Sequence, residues 1–212
     1  GLYLGCPKDH GGNTARRHGE TVSDMTIGVV GLGSIGQRHI RLLRQQFGWD
    51  VRIIGFRHRE TSVYDLSVWP ERRDFCQVWH VHPCYKIPAH ALDDYDLSAL
   101  IIATPTSKHV EWLIPAARRT IPILVEKPVV GNLSEIDRAT LETLKMHPHI
   151  QIGYQGEFDL LLHIVKKFIP VIGTVMAFQC VFREELSRIH PWEKNWKDGY
   201  AARSDLGGGV LN

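Results

Sequence analysis

A chain of 212 residues can bury a substantial core and has room for one large domain, or for one domain and part of a second. Its 43% hydrophobic and 23% charged content and its formal net charge of +2 are ordinary globular values, which speak against a disordered chain and against a strongly basic nucleic-acid binder. The basic groups Arg57-His58-Arg59 and Arg118-Arg119 are short and lack interleaved aromatics, and no apolar run reaches the roughly 18 residues of a membrane span.

Residues 1–24 are rich in Gly, Arg, His and polar side chains without periodicity, and read as a disordered or appended tail before Met25. The apolar run 26–30 then reads as a strand, and Gly31-Leu32-Gly33-Ser34-Ile35-Gly36 leads from it into a helical pattern over 38–46. A G-x-G-x-x-G between a strand and a helix is the context of a dinucleotide-binding turn. Gly31 permits the tight turn, Gly33 lets the backbone approach a pyrophosphate, and Gly36 lets helix and strand pack closely. The helix start at Ser34 and Ile35 offers unpaired N–H groups and a positive dipole end to phosphates.

Short β-branched runs at 51–56 and 99–104 read as further strands. Between them the signals weaken: a helix around 64–74, a short strand at 77–81, then loop to Asp96. A helix is expected over 107–119 with Val110, Leu113, Ile114 and Ala117 on one face, followed by a strand at 121–125, a helix from 132 to about 145 and a strand at 149–154. Alternating strands and helices of these lengths predict an α/β fold, a Rossmann doubly wound parallel sheet over residues 25–150. Beyond it, a helix at 158–170, a longer antiparallel-type strand at 173–182 and a polar stretch at 183–205 read as the incomplete start of an α+β substrate domain spanning 151–212. Such a strand would leave an unpaired edge and an uncovered apolar face, which favour association into a homo-oligomer.

In this fold the end of the second strand, about twenty residues past the glycines, reads the adenine ribose: a carboxylate there selects NAD, and Arg accommodates the phosphate of NADP. Here Phe56 is followed by Arg57-His58-Arg59, with Asp50 before the strand and Glu60 after the basic group. Arg57 and Arg59 therefore favour NADP over NAD. Cys6, Cys76, Cys84 and Cys180 form no C-x-x-C motif and read as reduced thiols of a cytoplasmic protein. The H-x-H pairs His80/His82 and His147/His149 have no Cys or carboxylate at zinc-site spacing, so no metal is expected.

Ile102-Ala103-Thr104-Pro105 with His109, then Glu126-Lys127-Pro128 after the fifth strand, then Gly153-Tyr154, resembles the Gfo/Idh/MocA family of sugar and cyclitol dehydrogenases, collinearly from Thr26 to Asn212. The resemblance implies hydride transfer between nicotinamide and a sugar hydroxyl or carbonyl. Lys127 would be the catalytic residue, stabilising alkoxide charge. Thr104, Pro105, His109, Glu126 and Lys127 would lie on the cofactor, and Gln155 and Trp192 on the substrate. It also implies an Asp or Glu and a His just after the G-G-G-x-L segment, past Asn212, so the chain is expected to be C-terminally truncated and impaired in turnover. Glu157 stands where similar members place an Arg before the Phe. The alternative is a non-catalytic NAD(P)-binding sensor or scaffold; a different oxidoreductase on the same cofactor fold is a weaker third reading.

Overall fold

The computed structural model describes residues 21–58, 61–68, 70–85, 88–179, 181 and 195–208. Six strands form one all-parallel sheet in the order β3-β2-β1-β4-β5-β6: β1 is Thr26–Val30, β2 Arg52–Phe56, β3 Val81–Cys84, β4 Ala99–Ile102, β5 Ile123–Val125 and β6 Ile150–Ile152. This order reverses direction at β1, so a crevice opens between the C-terminal ends of β1 and β4, the place where doubly wound folds bind ligands.

Apolar side chains run unbroken along the inner strands because both sheet faces are covered. Successive residues take opposite faces. Ile27, Val29, Ile53 and Ile101 point into one buried cluster with Ile40 of helix α1 (Ser34–Phe47) and Phe75 of the short helix α2 (Phe75–Val78). Val30, Ile54, Phe56, Leu100 and Ile102 point into the other, closed by Ala91 and Leu92 of α3 (Pro88–Asp93) and by Trp112, Leu113 and Ala116 of α4 (His109–Arg118). A further helix, α5 (Arg138–Met146), is capped by Asp137, which accepts from the Thr140 N–H at 2.7 Å.

The weakly patterned region departs from expectation. In place of a helix at 64–74 there is an isolated antiparallel bridge, Tyr64 to Asp74, with a 3-10 turn at Leu66–Val68. Buried polar groups drive that choice. Gln37 of α1 donates to the carbonyls of Leu32 and Tyr64 and accepts from Leu66 N–H, while Asp65, 2% exposed, accepts from Ser67 and from Trp79 Nε1. These bonds satisfy a non-helical backbone that a local pattern does not reveal. The strand expected at 77–81 lies at 81–84, and α3 occupies part of the stretch expected to be loop.

Arg44 closes the lower end of α1. Six per cent exposed, it donates to the carbonyls of Gly48, Val51, Trp79 and His80, and burial lowers its pKa. One guanidinium thus supplies the donors for four backbone acceptors where the chain leaves α1, enters β2 and enters β3.

After β6, α6 (Leu160–Ile172) is capped by Asp159, and its residues are all exposed, among them Leu160, Leu161, Phe168 and Ile169. The strand expected at 173–182 is absent among the described residues, which run 173–179 and 181 without regular structure. A lone strand has no ladder partner there to satisfy its backbone. No helix among the described residues is long and apolar enough to cross a membrane. Replacing Arg44 by Met keeps the stem and orphans the four carbonyls, so a loss of about 3 kcal/mol in urea unfolding is expected. A change under about 0.5 kcal/mol would show that water serves those carbonyls equally well.

Candidate functional site

The turn after β1 is shaped by contacts that exclude side chains at two places and leave a third open. Gly31 has φ +85°, and a Cβ there would stand 2.7 Å from the Ala103 carbonyl oxygen. At Gly36 a Cβ would stand 1.8 Å from the Gly31 carbonyl oxygen, whereas at Gly33 nothing lies within 4 Å. Gly33 also caps α1, its carbonyl accepting from Gln37 N–H at 2.9 Å. The exposed backbone of Gly33, with Ser34 and Ile35 half-buried in the first turn, is therefore open at the positive end of a fourteen-residue helix.

Across the crevice, β4 ends in Ala103-Thr104-Pro105. Thr104 Oγ1 is buried with no hydrogen-bond partner among the described residues. The open backbone of Gly33 at the start of α1, beside the switch point of the sheet, fits the phosphates of a dinucleotide.

His109 has a different place from the one expected of it. It is 1% exposed, with Nε2 2.9 Å from the Thr104 carbonyl and Nδ1 2.9 Å from the Pro128 carbonyl. Each ring nitrogen faces a backbone carbonyl, so the imidazole lies between the β4 turn and the segment after β5.

At the end of β5, Glu126 is 8% exposed and Lys127 is exposed, with a cis peptide between Lys127 and Pro128. His39 of α1 donates from Nε2 to Glu126 Oε1 at 2.9 Å. Burial pushes the Glu126 carboxyl up, but the His39 bond and charge, the Lys127 backbone N–H and the Lys127 ammonium outweigh it, so the group titrates below its ordinary value. Gly153, at the end of β6, makes room: a Cβ there would lie 3.2 Å from the Glu126 carboxyl carbon and from both its oxygens.

The end of β2 lies at the other side of β1. Arg57 follows β2, donates to Thr61 Oγ1 at 2.8 Å and to the Thr61 carbonyl, and sits over the Tyr85 ring at 5.9 Å. It lines a cleft of about 260 Å³ with Thr61, Ser62, Cys76 and Tyr85. Asp74 also lines it, with its carboxylate engaged in capping α2 through Gln77 N–H at 2.9 Å. Arg59 and Trp192 lie outside the described residues. Gln155 is exposed at the start of a 3-10 turn, and Glu157 is exposed in the same turn. Among the described residues no cluster of His, Cys, Asp and Glu is arranged to hold a metal.

Two contacts escaped the sequence reading. His39 carries no motif signal in its own right, although its place three residues past Gly36 puts it on the inner side of α1. The second is the return of residues 195–208: Tyr200 shares a 2.5 Å hydrogen bond with Thr106, itself fully buried, and a Cβ at Gly207 would stand 2.6 Å from Thr106 Cβ. This segment closes against the β4 turn from beyond the sheet.

The sheet order, the glycine turn and the open crevice define an α/β nucleotide-binding protein of Rossmann type. Residues 25–154 match the sequence model of the Gfo/Idh/MocA oxidoreductases, described as an oxidoreductase family with an NAD-binding Rossmann fold, and the chain belongs to that family. It is 33% identical over 141 residues to an inositol 2-dehydrogenase from Leifsonia xyli, a match covering 66% of this chain and 38% of the relative. It is 29% identical over 137 residues to the myo-inositol 2-dehydrogenase of Thermotoga maritima, covering 64% and 37%. The chain thus spans less than half the length of these relatives. In fold it is similar to a scyllo-inositol dehydrogenase from Lactobacillus casei crystallised with NAD(H) and scyllo-inositol (TM-score 0.56, 19% identity, 69% of this chain and 41% of that one).

The depressed Glu126 pKa carries a sign. A carboxyl held below its unfolded value stabilises the fold above the usual carboxylate range and loses that contribution as pH falls through its folded value. Glu126→Gln should therefore flatten the acid limb of a stability-versus-pH curve measured by thermal unfolding. A limb as steep in the variant as in the parent would place the effect elsewhere. Gly36→Ala should abolish the turn geometry, giving a protein that unfolds several degrees lower, because its methyl meets backbone and not a movable side chain.

Proposed function

We propose that this chain is the cofactor-binding portion of an NAD(P)-dependent dehydrogenase acting on a sugar or cyclitol, with Lys127 at the reacting end. The observation that carries the reading is the placement of Glu126 and the exposed Lys127 just past the C-terminal end of β5, on the same sheet edge as the open backbone of Gly33. A bound nicotinamide supplies the hydride acceptor or donor in such chemistry. The chain's own residues do the rest. Gly31, Gly33, Ser34, Ile35 and Gly36 seat the pyrophosphate on the α1 N-terminus, and Thr104 and Pro105 line the opposite wall. Lys127 faces the substrate oxygen: as the neutral amine it takes the hydroxyl proton in oxidation, and as the ammonium it returns that proton to the carbonyl oxygen in reduction. Names of relatives support a polyhydroxylated substrate, since inositol dehydrogenases recur among them. Gln155, exposed just after Tyr154, is the described residue we assign to the substrate side.

The Arg57 setting favours NADP. Its guanidinium is oriented by Thr61 and Tyr85 at the mouth of the adjoining cleft, and no acidic side chain ends β2 to receive a ribose hydroxyl. A preorganised planar cation suits a 2'-phosphate.

Thermal unfolding of the chain with NADP, NAD and no ligand tests both statements. A ligand that binds only the folded state at about 100 times its Kd adds about 2.7 kcal/mol, so a rise of several degrees is expected, larger for NADP. No shift with either nucleotide would remove the reading. An equal shift, or NADP affinity untouched by Arg57→Ala, would remove the NADP preference.

A further inference from the structure

We propose that His39 is a positioning residue of the site: it holds the Glu126 carboxylate against helix α1 and so ties the Lys127 end of the crevice to the helix that seats the phosphates. This rests on the cofactor reading above and goes beyond it by assigning a role to a residue outside the glycine turn and the β5 edge.

The Glu126 carboxylate is enclosed on two sides. His39 Nε2 donates to Oε1 at 2.9 Å, and Gly153 stands so close that a methyl group would touch all three carboxyl atoms at 3.2 Å. The His39 and Glu126 side chains are 18% and 10% exposed. Water therefore reaches them poorly, and a lost partner is not readily replaced. Glu126 directly precedes Lys127 in the chain, so holding the Glu126 side chain against α1 also restrains the backbone from which the Lys127 side chain departs.

His39 is in the same helix as the phosphate seat. It lies six residues beyond the Gly33 cap, about 9 Å along the axis at 1.5 Å per residue. Helix α1 is pressed onto the sheet by the Gly36 contact, so it cannot shift without opening a gap at Gly31. One rigid element thus sets the pyrophosphate position at its first turn and the Glu126 orientation at its second. The two ends of a dinucleotide are then held in register by one hydrogen bond between α1 and the β5 edge. Nothing else described joins α1 to Glu126, so removing the imidazole frees the carboxylate toward the crevice.

The test uses the full chain and three ligands, NADH, NADPH and ADP. ADP carries the adenosine and two phosphates but neither nicotinamide nor its ribose. Dissociation constants are measured by reduced-nicotinamide fluorescence and, for ADP, by calorimetry, in the parent, His39→Leu and His39→Gln, with unfolding temperatures recorded in parallel. His39→Leu is expected to weaken the reduced dinucleotides about tenfold while ADP stays within about twofold, as loss of a hydrogen bond to a charged group predicts. His39→Gln, whose amide N–H still donates, is expected to recover most of that loss. If His39→Leu weakens ADP as much as NADH, or changes neither, or if His39→Gln behaves like the leucine variant, the positioning role is overturned. Should His39→Leu fail to fold, the comparison of His39→Gln with Glu126→Gln decides: selective loss of NADH binding in the second alone supports the role, and equal binding in both overturns it. A parent chain that binds neither dinucleotide overturns the cofactor reading and this inference with it, whereas a parent that binds NADH or NADPH with no selective loss in His39→Leu overturns this inference alone.

Discussion

Helix α1 lies so near the end of β1 that residue 36 has no room for a Cβ, which would stand 1.8 Å from the Gly31 carbonyl oxygen. That single close approach fixes where the helix begins and how its axis meets the sheet. From it follow the open N-terminal turn at Gly33, the reach of Gln37 to the backbone of Tyr64 and Leu66, and the reach of His39 to Glu126. Lower on the same helix, Arg44 collects four carbonyls from the loops that enter β2 and β3. The amphipathic helix is therefore more than a cover for the sheet. Beside the apolar Ile40, its inner face carries Gln37, His39 and Arg44, polar and cationic groups that set the connections around it.

The C-terminal edge of the sheet is assembled from turns that are individually irregular and collectively cross-bonded. His109 joins the turn after β4 to the Pro128 carbonyl, and Gly153 yields space to Glu126. Tyr200 joins Thr106 to the segment carrying Gly207, so residues distant in sequence close the same edge. Such a rim holds a strand-end lysine in place while leaving it exposed, the combination a group needs if it is to meet a substrate oxygen. By contrast, α6 is well capped yet buries none of its apolar face among the described residues. It is the least supported element in energetic terms, because helices of this length draw most of their stability from packing.

The strands were legible because a doubly covered parallel strand must be apolar on both sides, and 26–30, 51–56, 99–104 and 121–125 all show that pattern near their observed places. The long helices α1 and α4 were legible from their periodicity. The region between β2 and β4 was not, since its structure rests on Asp65, Gln37 and Trp79 bonding across the chain, and such partners have no fixed spacing. Among the described residues the strand expected at 173–182 is absent, because an apolar run specifies burial and not by itself a strand.

By itself the sequence determined the class of fold and the shape of the turn after β1, because the glycine constraints at 31, 33 and 36 are local: each concerns backbone within a few residues or the strand beside it. It also placed Glu126-Lys127 just past the end of β5 and Arg57 just past the end of β2. Tertiary structure alone decided which of these groups meet. It set His109 between two backbone carbonyls, gave Glu126 its partner His39 from a helix 87 residues earlier, and brought Tyr200 onto Thr106 across 94 residues. Those contacts depend on how far a helix or loop travels after leaving the sheet, a distance set by packing and absent from any local pattern.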